Sequence, residues 1–297
     1  MRQKKKGLTA LDIIYIFMMI LPIVAGLVLK LLTKPAAEGI SITGAQVYFT
    51  IPMPVQNLPI TESQVNSWFV LISIVGLCLF LTRDLKTRNV GKRQHLAEWL
   101  VEKADGLISS SMGEYFMGFS PFIAAIIALS AFSSLITLFG LYPPTSDLNV
   151  VAGWAVLVFV LITYYKSKCG PLSYIKSFAN PVLMAPLNVI SEIATPISMA
   201  FRHYGNVLSG SVISVLVAAG LQGLSNIVFG ALPGILGEIP FLQVGLPAVL
   251  SIYFDVFSGC LQAYIFAMLT MMYVAGGFPM EEYFERQEKK KLKKANI

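Results

Sequence analysis

Residues 188–211 read NVISEIATPISMAFRHYGNVLSGS, an apolar run that carries a full positive charge at Arg202. Between Ser177 and Met280 the formally charged residues are Glu192, Arg202, Glu238 and Asp255, so Arg202 is the one cation of that block. An arginine at bilayer depth costs from about 3 to more than about 10 kcal/mol, depending on the reference state, so it needs a reason to be there. Wound as a helix at about 100° per residue, Asn188, Ser191, Glu192, Thr195, Ser198, Arg202, Asn206 and Ser209 fall within an arc of about 120°. That is a polar stripe on an apolar helix. Pro196 lacks an N–H and frees the Glu192 carbonyl, which predicts a locally loosened helix just before the arginine.

The rest of the chain says that this helix lies in a membrane. Of 297 residues, 56% are hydrophobic and 13% charged, whereas a soluble domain carries about 25% charged residues. The net charge of +6 does not point to nucleic acid, because the basic residues stand in short clusters at helix ends, where they set topology. Cys78, Cys169 and Cys260 lie in or beside apolar segments without metal-like spacing and read as small packing residues. No cofactor or metal is expected.

At the amino end, MRQKKK precedes an apolar run over residues 11–32. Its basic start and the Ala36-Ala37 pair resemble a cleavable leader, but the run is long enough to cross about 30 Å of hydrocarbon, whereas leader cores are about 7–15 residues, so a retained span is the reading adopted. Residues 35–65, rich in Pro and Gly with the strand-like VYFTI, read as an external loop with a hairpin. A second span over 67–81 ends in RDLKTRNVGKR, which the positive-inside rule places in the cytoplasm together with the amino terminus. Residues 95–108 have Leu96, Trp99, Leu100, Lys103 and Leu107 at helical spacing, which suits an amphipathic helix on the cytoplasmic surface or a dock for soluble subunits. Two more spans, 119–141 and 150–165, are joined by the turn YPPTSD and closed by Lys166, Lys168 and Lys176.

The last two apolar stretches, 181–218 and 241–274, are longer than a perpendicular crossing requires and must tilt, bend or run along the interface. Their midpoints meet if residues 220–240 form the connecting loop, which also holds Glu238. The tail EEYFERQEKKKLKK returns to the cytoplasm. The expectation is an all-α integral membrane protein of about six membrane helices, both termini inside, with a surface amphipathic helix.

Two motifs carry a resemblance. Arg202-His-Tyr-Gly-Asn206, after Glu192 and Pro196, and Leu261-Gln262-Ala-Tyr-Ile-Phe-Ala-Met-Leu-Thr270 about sixty residues later resemble the a subunit of F-type ATP synthase. The likeness in helix pattern runs from Trp68 to Met280. It divides the chain into 1–65, an additional transmembrane helix and external loop, and 66–297, the a-subunit membrane domain. The resemblance implies a non-catalytic stator subunit of a rotary motor in a bacterial inner membrane, with the c-subunit ring, the b subunits of the peripheral stalk and the rest of the F1Fo complex as partners. It also implies that the last two helices form a strongly tilted hairpin against the ring, with H+ or Na+ as the coupling ion.

On this resemblance Arg202 faces each passing c-subunit carboxylate, favours its ionised form, and blocks leakage between two half-channels. Arginine suits the task because its pKa lies above about 12 and its fork of donors can exchange partners. Asn206, Gln262, Asp255, Ser211, Glu192 and Ser198 are the expected channel-lining residues. Asn206 and Gln262 would also serve as ordinary interhelical glue, and Glu192 reads either as a cytoplasmic-side channel residue or as a partner that eases the arginine's burial. The family often carries a basic residue where this chain has Thr195, and Glu or His where it has Ser211. We expect Ser211 to turn toward the fellow helices, with the ionisable function moved to Asp255. His203, offset about 100° from Arg202, reads as a satisfied polar residue rather than a proton relay. The rival from another class is a secondary transporter with an intramembrane Arg/Asp site, although no paired halves with broken helices are visible. A membrane-embedded hydrolase would want a Ser/His or metal constellation, and the two histidines, His95 and His203, stand far apart in the chain.

Overall fold

Among the described residues, six helices are long and apolar enough to cross a bilayer. The structure is a computed structural model, and it describes residues 9–33, 44–54, 56–87, 91–170, 182–229 and 245–295, with the single positions 174, 178 and 242. Lys34, the Ala36-Ala37 pair, Lys176 and Glu238 lie outside the described residues.

Helix α1, Ala10–Thr33, is apolar on most of its circumference. It lies against α2, Glu62–Thr82, closely enough that a Cβ on Gly76 would stand 3.1 Å from the Met19 backbone nitrogen. The Ser73 hydroxyl donates to the Met19 carbonyl over 2.9 Å. At its first turn α1 buries Asp12, which meets Arg83 at 3.1 Å and Arg93 at 2.7 Å. Buried carboxylates are tolerated when paired and hydrogen-bonded in this way. At the other end Lys30 donates to the Gly140 carbonyl. Between α1 and α2 the VYFTI segment forms β1, Val47–Ile51, antiparallel to β2, Leu58–Thr61, so the expected hairpin is present.

Helix α3, Lys92–Ser111, is the surface helix. Leu96, Trp99, Leu100 and Val101 are exposed, whereas Ala104 and Ile108 are buried where its last turns join the core. Helix α4, Ser120–Leu135, is flanked by 3-10 turns at Glu114–Phe119 and Ile136–Phe139. Helix α5, Leu148–Lys166, starts on an Asp147 cap that accepts from the Asn149 N–H. That cap satisfies an amide the helix itself cannot pair.

Helix α6, Ala185–Phe229, runs for 45 residues, about 68 Å at 1.5 Å per residue, with Pro196 inside it. It continues through Gly220, so the connection begins later than residue 220; residues 230–241 lie outside the described set. The helix is unbroken at Pro196, because a proline removes one hydrogen bond and neighbouring turns hold the rest. Helix α7, Leu246–Gly277, contains a π-helical stretch at Ile252–Ser258 that the apolar pattern did not foretell. Helix α8, Met280–Ala295, carries the charged tail.

The main core gathers Ile108, Phe116, Ile123, Val158, Met199, Phe266 and Met271 from α3 to α7. Around Lys168, just beyond α5, stand the rings of Tyr115, Tyr165, Phe278 and Tyr283, with the Tyr165 centroid 4.7 Å from its ammonium. They fasten the start of α8 to the end of α5.

Candidate functional site

Helices α6 and α7 run antiparallel, and their contacts fix the register. Gly210 packs on Phe254, where an added Cβ would come within 3.1 Å. Asn206 Nδ2 donates to Ser258 Oγ at 3.0 Å and to Gln262 Oε1 at 3.4 Å. Farther along, Glu192 and Thr195 share a cleft with Tyr273, Gly276 and Gly277. Each step up α6 is a step down α7, which sets Arg202 level with Phe266.

The buried residues of α6 near this level are Met199, Ala200, His203 and Gly210. At about 100° per residue they centre roughly 100° round from Arg202. Arg202 is therefore on the open flank: it is exposed, and among the described residues it has no hydrogen bond or ion pair. Neither Glu192 nor Asp255 pairs with it. Glu192 instead takes the Lys166 ammonium on both oxygens, at 2.8 and 2.7 Å, and accepts from the Tyr174 hydroxyl at 3.2 Å. Of the remaining stripe, Ser191, Ser198 and Ser209 are exposed and Asn188, Thr195 and Asn206 half-buried.

Gln262 is buried and reaches the stripe through Asn206. His203 is fully buried. Its Nε2 meets Ser130 Oγ at 3.2 Å, and its ring stands edge-to-face with Trp154 and Phe266. It ties α6 to α4, α5 and α7. Its Nδ1 has no partner among the described residues.

Asp255 lies half-buried in the π-helical stretch, near Thr137, whose hydroxyl donates to the Ser134 carbonyl at 2.7 Å. Ser211, expected to turn into the bundle, is exposed, and its hydroxyl donates to the Leu208 carbonyl of its own helix at 2.8 Å. At this depth Gly210 is buried against Phe254, and Ser211 beside it is left outside. No hydrogen bond joins Ser211 to Asp255 among the described residues.

The sequence reading missed three contributors. In the sequence Lys166 is one of a cluster of topology charges, and its bond to a residue 26 positions on has no local signature. Ser258 holds Asn206 from a motif-flanking position. Ser134 stands where a Cβ on Gly259 would come within 2.4 Å, so α4 crosses α7 beside Gln262 at a contact only glycine allows.

A model of the ATP synthase A chain matches residues 65–275. The chain belongs to the ATP synthase subunit a family. Among curated relatives, "ATP synthase subunit a, sodium ion specific" of Propionigenium modestum is 25% identical over 288 residues, covering 85% of this chain and 90% of that protein. An ATP synthase subunit a of Desulforamulus reducens is 30% identical over 221 residues, covering 72% and 78%. One of Legionella pneumophila is 27% identical over 228 residues, covering 76% and 90%. The subunit a match takes in the helices from α2 to α7 and both motifs. Membership makes the chain a multi-pass membrane component of the Fo part of an F1Fo complex, and α1 lies before the matched residues.

Proposed function

We propose that this subunit is the ion-translocating stator of a rotary F-type ATP synthase, coupling H+ or Na+ flow to rotation of a c-subunit ring and so to ATP synthesis. The observation that carries the reading is Arg202, an exposed guanidinium with no hydrogen bond or ion pair among the described residues, on the open flank of a bilayer helix. A cation kept at that depth without an internal partner needs an external one, and a ring carboxylate presented at the bilayer centre would supply it. The passing carboxylate would ionise beside Arg202 and release its ion. Asn206 and Gln262 hold the neighbouring turn, so the guanidinium is presented from a fixed helix pair.

Two half-channels would meet at this level: one on the side of Ser198 and Glu192, the other on the side of Asp255 and Ser211, with Thr137 beside the carboxylate. Hydrolysis belongs to other subunits, and the b subunits of the peripheral stalk hold this one still. Helix α1 is a retained span, supported by the buried Asp12 and its two arginine partners, and residues 1–65 form its unit beside the a-subunit domain of 66–297. Both termini face the cytoplasm of a bacterial cell whose inner membrane holds the complex.

Replacement of Arg202 by Ala in the assembled complex tests this. ATP-driven ion pumping into inverted vesicles is expected to be abolished with insertion intact, and Arg202→Lys to be nearly as damaging. Normal pumping with either substitution would remove the role assigned to Arg202.

A further inference from the structure

Toward its Ala185 end, α6 parts from α7 around a cleft of about 230 Å³. At about 30 Å³ per molecule in the liquid, that is room for several waters. Its polar walls are Lys166 from the end of α5, Glu192 and Thr195 from α6, and Tyr273 from α7, with Gly276 and Gly277 on the remaining side. Lys166 reaches Glu192 by laying its stem over Gly277, where an added Cβ would stand 2.7 Å from Lys166 Cε. Three helices thus meet in one ion pair, whose two side chains are 26% and 16% exposed.

The cleft also points at the arginine. Glu192, Thr195, Ser198 and Arg202 recur at three- and four-residue spacing along one face of α6. Thr195 is seven residues from Arg202, about 10 Å along the axis. The Ser198 hydroxyl stands exposed between them. A hydrated monovalent cation leaving Arg202 in this direction meets hydroxyls and then the ion pair.

We propose that Lys166 is a positioning residue which keeps Glu192 from holding the cation in this cleft, on the side of the membrane where the half-channel of Ser198 and Glu192 was placed above. The inference rests on the rotary reading above. With Lys166 on both of its oxygens the carboxylate carries no net field toward the passage. Without Lys166 it is an anion held by the Tyr174 hydroxyl alone among the described residues, in a half-buried site, and captures the ion. Without Glu192 the bare ammonium repels it. The two partners therefore act in opposite directions, which damage to packing does not produce.

The test uses the whole complex in vesicles, with the coupling cation varied on one face at a time. Lys166→Met is expected to lower the half-saturating cation concentration on the Lys166 side by about tenfold, and Glu192→Gln to raise it, the opposite face being unchanged. The double variant Lys166→Met, Glu192→Gln returns toward the parent value. Shifts in the same direction, or none in an assembled complex, overturn the proposal. Should either variant fail to assemble, a Thr195→Cys chain with Cys78, Cys169 and Cys260 replaced by Ser decides. A membrane-impermeant cationic thiol reagent is expected to modify it from the Lys166 side only, and no modification, or modification from the other side, overturns the passage. Arg202→Ala, run in parallel, separates the two ideas: unchanged pumping there refutes the rotary role, while one-sided labelling at residue 195 still reports the passage.

Discussion

Gly259→Ala places a methyl group where α7 crosses α4, and the consequence can be worked from distances. The new Cβ would stand 2.4 Å from Ser134 Cβ and 2.6 Å from Ser134 Oγ. Carbon atoms rest at about 3.5–4.0 Å, so the overlap exceeds about 1 Å. The nearer clash is with Ser134 Cβ, which is fixed to the backbone and cannot swing aside as the hydroxyl can, and the helices must separate. Overpacking of this kind costs about 1–3 kcal/mol. The neighbours Ser258 and Gln262 move with Gly259, which loosens the 3.0 and 3.4 Å bonds from Asn206 and with them the support of Arg202. Unfolding of the complex in detergent, followed by heat or denaturant, gives the stability change, and ATP-driven pumping gives the functional one. Ser134→Gly on the Gly259→Ala background should restore both, since only Ser134 Cα remains, at 3.9 Å. Gly220→Ala is the control: nothing lies within 4 Å of its Cβ position, and an added helix-former there gains up to about 1 kcal/mol. A Gly259→Ala protein within about 0.5 kcal/mol of the parent, uncoupled from Ser134, would refute the close-crossing argument.

Asp12→Asn removes the carboxylate shared by Arg83 and Arg93 and should loosen the start of α1, seen as faster proteolysis of the amino-terminal helix. Lys168→Met empties the ring of Tyr115, Tyr165, Phe278 and Tyr283 of its cation and should cost about 1 kcal/mol, read as earlier release of α8 in hydrogen exchange. Asp255→Asn should slow ion entry in the pumping assay, and adding Ser211→Glu should recover none of the rate, because Ser211 is exposed and bonds back to its own helix; an intact rate in Asp255→Asn would sink the half-channel assigned to Asp255.

By itself the sequence determined the solvent, the number of spans and the place of the arginine. These are local properties: a run of apolar residues long enough for the hydrocarbon, lysines and arginines at its ends, and one charge left inside it are all read within a single helix. The two motifs led to the family for the same reason, being short and contiguous.

What only the tertiary structure decided was partnership. Glu192 belongs to Lys166 rather than to Arg202, because α5 ends beside α6 and an ammonium there can reach both carboxylate oxygens. Ser211 is left on the outside while its neighbour Gly210 is closed in by Phe254. The π-helical turn at Asp255 and the Ser134 contact at Gly259 come from how α7 is held against two neighbours. A hydrophobic period names the face that is buried but not what covers it, and side chains far apart in sequence meet only once the helices have settled on a register.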